Sequence, residues 1–339
     1  MLRFLRHRML NNYRALPEWF NAPIGYHYAW ACAMEVRKSI SRAIDGCAGA
    51  ILFRLLAQEN VCQVIGHRGA PYDLPENTVP SLMKALSDGA DGVEFDVVFS
   101  RDRYPFVCHD LDVSDRVPAF QRPAIISNMS ANEVATLLIH GSFRIPALKE
   151  VLESLKTLAP KRVYIHYKRE NEAQDISNHV QALAVAIREA SVTEVVVIMV
   201  ESGVVDHWRQ LAPDLNILQC WTRTHPTPGR GFPIDSALER GLDHIGLYFT
   251  SGELSPLGRA LKEWGFPRLG TFFGFAPIRR LISDNRGQVV SFTAFTINDP
   301  FLMRLCASAG FDAIGSDNPA LLSRVVGKRK DRARPKPPP

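Results

Sequence analysis

From residue 61 onward, short runs of apolar and β-branched residues alternate with amphipathic segments. The apolar runs cover residues 61–66, 92–99, 162–168, 194–200, 215–221, 244–249, 289–296 and 312–317. Alternating strand-like and helix-like segments predict an α/β fold with a parallel sheet. Because there are eight runs and no glycine-rich dinucleotide turn, the pattern favours a closed TIM (β/α)8 barrel. A doubly wound open sheet is the alternative.

The two ends of the chain follow a different pattern. Residues 1–60 predict an N-terminal helical extension, residues 61–325 the barrel, and residues 326–339 a basic, proline-rich and disordered tail. The stretch most like a membrane span, residues 47–57, is interrupted by Arg54 and is shorter than the roughly 18 to 20 residues that a span requires. We therefore expect a buried helix there and no transmembrane segment.

Charge is concentrated at the same two ends. Residues 327–339 hold six basic residues and one acidic residue, which equals the formal net charge of +5 for the whole chain. The first 14 residues add four arginines and no acidic residue. Since this distribution gives no basic groove, we expect no nucleic-acid binding, although the tail leaves contact with an acidic surface open.

Cysteine usage points to a reducing compartment. The six cysteines have no CxxC spacing and are Cys32, Cys47, Cys62, Cys108, Cys220 and Cys306. In a chain of 339 residues this pattern predicts reduced thiols in the core. The N-terminus also lacks the apolar core and cleavage site of a secretory signal, so a cytoplasmic location is predicted.

Polar residues follow three of the predicted strands where each one ends. His67 and Arg68 follow the first, and Lys168 closes the third. Glu94 and Asp96 are two residues apart on the second strand, so their side chains point to the same face. Two carboxylates at one place need a cation or several donors, and a divalent ion with oxygen ligands meets that need; structural salt bridges are the alternative.

His109 ends another short apolar run and is followed by Asp110. A lone histidine there is typical of a structural hydrogen bond, but a second imidazole in His67 makes an acid–base pair conceivable. Arg68 and Lys168 would neutralise a bound anion. A metal, two imidazoles and two cations together indicate phosphoryl transfer on a diester.

The segments HRGAPYDLPENT (67–78), GADGVEFDVVFSRDRYPFVCHD (89–110) and GFDAIGSDNP (310–319) resemble the glycerophosphodiester phosphodiesterase family. The resemblance extends from about residue 61 to residue 322. It implies a TIM barrel, a phosphodiesterase activity on a small-molecule glycerophosphodiester, and a divalent cation such as Mg or Ca. Its implied roles are acid–base catalysis for His67 and His109, metal binding for Glu94 and Asp96, and phosphate binding for Arg68 and Lys168. Glu76 and Asn77 belong to its PENT turn.

The chain departs from the family pattern on the third strand. The family carries E-x-K there, whereas this chain has His166 two residues before Lys168, and Phe295 replaces a common tryptophan. Three interpretations of His166 remain open. It is a metal ligand that favours Mn, Zn or Fe; it accompanies transfer of the phosphoryl group to an alcohol, as in the related sphingomyelinase D and agrocinopine synthase; or it marks a weakened site in a binding protein.

Overall fold

The computed structural model describes residues 24–56, 62–117, 123–160, 162–168, 176–192, 196–200, 204–221, 234–248 and 256–326. In these ranges the strands are β1 (Gln63–His67), β2 (Gly92–Phe99), β3 (Pro105–Val107), β4 (Leu138–Ile139), β5 (Phe143–Arg144), β6 (Arg162–Tyr167), β7 (Val196–Val200), β8 (Asn216–Trp221), β9 (His244–Tyr248), β10 (Ser291–Phe295) and β11 (Ala313–Ser316). The α-helices are Ile24–Leu55, Val79–Ser87, Ala131–Ala135, Leu148–Leu155, Ile176–Ala190, Val205–Leu211, Ile234–Glu239, Pro256–Glu263, Pro267–Gly274, Ala276–Asn285, Pro300–Ala309 and Pro319–Val326.

Eight of these strands form a closed parallel barrel. Their order is β1, β11, β10, β9, β8, β7, β6 and β2, and the ring closes where β2 pairs with β1. Each of the eight apolar runs supplies one barrel strand, which confirms the predicted TIM barrel and excludes the doubly wound sheet. Strand β3 pairs antiparallel with the end of β2, and β4 and β5 form a separate hairpin.

The alternation of side chains along each strand separates the core from the site. On β2, Val93, Phe95 and Val97 are buried in the main hydrophobic cluster, which the helices also line. Glu94 and Asp96 lie between them and point into the barrel. The same register pairs Asp96 of β2 with His166 of β6, so three strand-borne polar residues reach one end of the barrel interior.

The N-terminal extension is a 32-residue helix, Ile24–Leu55, that packs on Pro267–Gly274 and Pro300–Ala309. The expectation of a buried helix over residues 47–57 is wrong for one side: Gly49 is buried, whereas Cys47 and Ile51 are exposed. The helix turns one side to the barrel, so the apolar residues on its other side stay exposed. Residues 1–23 lie outside the described residues, as does the tail predicted over 326–339 except for its first residue, which ends helix Pro319–Val326.

Two other expectations from the sequence are settled in part. Among the described residues, no helix is long and apolar enough to cross a membrane. Cys62, Cys108 and Cys306 are free and buried, as expected for core thiols, but Cys47 is exposed on the outer side of its helix, which corrects the prediction for that residue. The surroundings of Cys32 and Cys220 lie outside what the structure describes.

Candidate active site

The turn after β1 brings the backbone itself into the site. Arg68 adopts a left-handed conformation with φ of 53°, and Gly69 follows with φ of 94°. The Arg68 N–H donates to Glu94 Oε2 at 3.0 Å. A Cβ at Gly69 would lie 2.5 Å from Ser81 Oγ and 2.6 Å from the Ser81 carbonyl carbon, so only glycine fits. The HRG sequence is therefore needed for the backbone conformation of this turn, as well as for the side chains of His67 and Arg68.

The PENT turn fixes the acidic strand from the side. Asn77 Nδ2 donates to Asp96 Oδ2 at 3.0 Å, and the Asp96 N–H donates back to Asn77 Oδ1 at 3.1 Å. Asn77 is left-handed with φ of 57°, a conformation that asparagine tolerates better than most residues. Thr78 caps helix Val79–Ser87 by accepting the Ser81 N–H. The turn thus holds Asp96 in one rotamer.

Glu94, Asp96 and His166 form what we call the metal triad. One ligand atom from each lies within 4.8 Å of the other two, which is the spread expected of donors about 2.0–2.5 Å from one ion. His166 Nδ1 is 3.1 Å from Asp96 Oδ1 and 4.0 Å from Glu94 Oε1. Glu94 Oε1 is buried without a hydrogen-bond partner. A buried carboxylate oxygen with an open coordination direction fits a bound cation.

The two carboxylates of the triad have opposite electrostatic surroundings. Burial raises the pKa of Glu94, and the neighbouring charge of Asp96 raises it further. Burial also acts to raise the pKa of Asp96, but the hydrogen bond and charge of His166, followed by the charges of Arg68 and Lys168, lower it overall. The lowered pKa of Asp96 favours its ionised form, whereas the raised pKa of Glu94 means that a nearby cation would stabilise its charge.

His67 is held by residues that follow the last two strands of the barrel. Its Nδ1–H donates to Asp317 Oδ1 at 2.6 Å, and Asn298 Nδ2 donates to the other carboxylate oxygen at 2.5 Å. Thr296 Oγ1 is 3.2 Å from His67 Nε2. Burial acts to lower the pKa of His67, but the charge of Glu94 and the hydrogen bond to Asp317 outweigh it, so the pKa lies above 6.5.

His109 is held from the opposite side. Its Nδ1–H donates to Asp110 Oδ1 at 2.5 Å, and Lys168 Nζ donates to its Nε2 at 2.9 Å. Arg116 pairs with the second oxygen of Asp110 and lies 3.6 Å from Glu76.

One continuous chain of contacts joins all seven candidate residues. Arg68 Nε is 3.2 Å from Asp96 Oδ2, and Lys168 Nζ is 3.6 Å from Asp96 Oδ1. His67 Nε2 is 3.8 Å from Glu94 Oε2. The site also borders a cavity of about 500 Å³, lined by His67, Arg68, Pro71, Tyr72, Glu76, Thr296, Asn298 and Asp317. Two imidazoles, two cations and a carboxylate pair therefore surround one point beside a cavity.

Sequence reasoning missed three residues around the two histidines: Asp317 and Asn298 beside His67, and Arg116, which pairs with Asp110 beside His109. Asp317 and Asn298 lie after the last two strands, and Arg116 lies in a loop of the segment between β3 and β6. The SDNP segment that contains Asp317 was part of the resemblance, and this was the available signal. Nothing in the residue pattern linked Arg116 to Glu76, because their contact depends on how that loop folds over the barrel.

The profile of the Glycerophosphoryl diester phosphodiesterase family matches residues 67–321, which is most of the barrel. The chain belongs to this family. Its members are phosphoric diester hydrolases that depend on a metal, and the metal triad is the candidate place for that metal here.

Curated relatives within the family are distant in sequence. A glycerophosphodiester phosphodiesterase from Caldanaerobacter subterraneus subsp. tengcongensis is 24% identical over 78% of this chain and 98% of its own length. Glycerophosphodiester phosphodiesterase domain-containing protein 4 from Macaca fascicularis is 25% identical over 77% of this chain, but this chain spans only 41% of that protein.

A solved structure supports the fold. A phosphodiesterase from Oleispira antarctica, in complex with the product sn-glycerol-3-phosphate, matches 80% of this chain and 98% of its own with a TM-score of 0.60 at 19% identity. The helix Ile24–Leu55 precedes the segment that the family profile matches.

Proposed function

We propose that this chain is a metal-dependent phosphodiesterase that hydrolyses a glycerophosphodiester, with His67 and His109 as its acid–base pair. The supporting observation is the single chain of contacts from His67 through the metal triad to Lys168 and His109. A hydrolase needs a proton acceptor, a proton donor and positive charge around one phosphorus atom. These groups meet here and border a cavity.

The metal triad fits a divalent cation, since its donors are close together and Glu94 Oε1 has no hydrogen-bond partner. When bound, such an ion supplies Lewis-acid stabilisation of phosphoryl oxygens. We propose Glu94, Asp96 and His166 as its protein ligands. Because His166 contributes nitrogen where the family pattern has a carboxylate, we expect Mn or Zn to bind better, relative to Mg, than at an all-carboxylate site.

Arg68 and Lys168 would bind the phosphate. Both reach Asp96, so each is fixed in place before substrate arrives, and only 21% and 11% of their side chains are exposed. Poorly solvated cations stabilise charge that develops on phosphoryl oxygens more strongly than exposed ones. The glycerophosphate part of the substrate would enter the 500 Å³ cavity beside His67 and Arg68. The glycerol phosphate bound by the Oleispira relative supports this choice.

The surroundings of the histidines suggest which is acid and which is base. The carboxylate of Asp317 is shared between His67 and the neutral amide of Asn298, so it favours an imidazolium at His67. The carboxylate of Asp110, in contrast, is shared between His109 and the cation of Arg116. His67 would therefore protonate the leaving alkoxide, and His109, whose Nε2 lone pair accepts from Lys168, would take the proton of the nucleophile.

The test is to incubate the full chain with a panel of glycerophosphodiesters and to follow phosphorus by NMR, with EDTA and then with Mg, Mn or Zn. We expect glycerol phosphate and free alcohol with metal, and none with EDTA. A new diester or a cyclic phosphate would instead indicate transfer to an alcohol. Unchanged substrate with every metal would overturn the proposal and favour a binding protein.

The cytoplasmic location stays a prediction from cysteine usage.

A further inference from the structure

Between Ala33 and Ile51, the side of helix Ile24–Leu55 that faces away from the barrel carries a stripe of exposed apolar residues; we call this side the outer face. Its exposed apolar residues are Ala33, Val36, Ile40, Ala43, Ile44, Cys47, Ala50 and Ile51. They recur at intervals of three and four, so they form one continuous stripe. Val36 and Ile51 are 59% and 60% exposed. Single exposed apolar residues are ordinary, but a stripe more than 25 Å long, at about 1.5 Å per residue, is typical of a docking surface.

The opposite side of the same helix is tightly anchored, so the stripe is held in place. Asp45 is buried and accepts the backbone N–H groups of Arg268 and Leu269 at 3.0 Å, where it caps helix Pro267–Gly274. Arg304 donates to the Phe53 carbonyl and lies over the Phe53 ring. The side of the helix that carries Asp45 and Phe53 thus packs against the barrel, and the outer face is available to another surface.

The charge around the outer face favours an anionic partner. Arg37, Arg42 and Arg54 on this helix are exposed, whereas Asp45 is buried and Glu35 pairs with Lys38. In the sequence, the first 14 residues carry four arginines and no acidic residue. A second copy of the chain would bring like charges together across this face. An anionic lipid surface would bury the aliphatic stripe and pair with the arginines at once.

We propose that the outer face of helix Ile24–Leu55 docks this enzyme onto a membrane surface rich in anionic lipid. The helix would lie in the plane of the interface with its stripe in the acyl boundary, and the barrel would remain in water. Docking of this kind depends on lipid charge and weakens with salt, because part of the attraction is electrostatic. None of the proposed catalytic residues takes part in this docking.

The experiment is vesicle flotation of the full chain with phosphatidylcholine alone or mixed with phosphatidylglycerol. We expect binding only to the mixed vesicles, reduced by added salt. The double variant Ile40→Glu with Ile44→Glu should bind at least about tenfold more weakly, because two aliphatic side chains no longer enter the bilayer. Val185→Glu is the matched control: Val185 is as exposed as Ile44, at 50%, but lies on helix Ile176–Ala190. It should bind as the wild type does.

Three outcomes would overturn the proposal: no binding to mixed vesicles, equal binding to neutral ones, or equal binding by the double variant. Sedimentation velocity adds a fourth, since a dimer that the double variant dissociates would show that a second copy covers the face. Turnover of a water-soluble diester checks that the double variant is folded. If the double variant loses vesicle binding but keeps normal turnover, the docking proposal is supported independently of catalysis. If the wild type shows no turnover, the catalytic proposal fails and the docking proposal is judged by vesicle binding alone.

Discussion

At the scale of single residues, the properties of each carboxylate in the site depend on which side chains contact it. Asp96 contacts His166, Arg68 and Lys168, whereas Glu94 keeps one buried oxygen without a hydrogen-bond partner. The pKa values of two carboxylates on one strand are thus shifted in opposite directions because their neighbours differ. The two histidines also differ in their neighbours: Asp317 beside His67 is shared with the amide of Asn298, whereas Asp110 beside His109 is shared with Arg116.

Asp317→Asn should lower kcat by roughly 10- to 150-fold, which corresponds to the loss of a charged hydrogen bond to His67. The carboxylate helps His67 keep its proton as pH rises, so its removal should also move the alkaline limb of the kcat profile to lower pH. Steady-state kinetics across pH checks both effects. Asp102→Asn, at an exposed loop position that contacts Ser100, is the control. An unchanged alkaline limb in Asp317→Asn would contradict the role of His67 as the acid.

His166→Glu should raise the affinity for Mg and lower that for Zn, because a hard carboxylate replaces the imidazole of the metal triad. Calorimetric titration of both metals against the variant and the wild type measures this independently of turnover. If the two proteins bound both metals alike, His166 would not be a ligand.

Thiol reactivity gives a pH-dependent prediction. Burial raises the pKa of Cys62 and of Cys108 to about 12, so thiolate forms there only as pH approaches that value. At pH near 8 both thiols stay protonated and inaccessible, whereas Cys47 is exposed. Alkylation followed by mass spectrometry should label Cys47 in the folded protein and the buried pair only after denaturation. Rapid labelling of Cys108 in the folded protein would contradict its burial beside the site.

At the scale of elements, the site is assembled by turns that follow strands. The HRG turn after β1 and the PENT turn before helix Val79–Ser87 both use left-handed backbone at Arg68, Gly69 and Asn77. A strained backbone conformation of this kind persists only where surrounding contacts hold it in place. Here the Arg68 N–H donates to Glu94 and the Asn77 side chain donates to Asp96, and these hydrogen bonds hold the two turns.

The N-terminal helix is joined to the barrel because its Asp45 caps a second helix, Pro267–Gly274. Asp45→Ala should lower the free energy of unfolding by about 1–2 kcal/mol, because the first N–H groups of helix Pro267–Gly274 lose their acceptor. Urea denaturation measures the change. Glu35→Ala, which removes an exposed pair with Lys38 on the same helix, should change stability by less than about 0.5 kcal/mol. Equal effects of the two substitutions would show that Asp45 is no cap.

At the scale of the whole molecule, the barrel could be predicted because each of its strands is an apolar run of ordinary length. The positions of His67, Glu94, Asp96 and Lys168 followed from strand parity and from the rule that barrel sites gather at strand ends. The exposed side of helix Ile24–Leu55 could not be predicted, since an apolar run does not reveal how much surface the barrel offers to cover it. Two contacts were missed for a similar reason: Asp317 meets His67 across 250 residues of sequence, and Arg116 meets Glu76 across a loop that folds back on the PENT turn.

The central claim is that water attacks phosphorus at a site that His67 and His109 serve together. The most direct measurement is hydrolysis of the fastest substrate of the panel in ¹⁸O-labelled water with the preferred metal, followed by phosphorus NMR of the product. We predict one ¹⁸O atom in the phosphate monoester, and rates lower by about 10²- to 10⁴-fold in His67→Ala and His109→Ala. Label in the alcohol, or near-normal rates in either variant, would contradict the account.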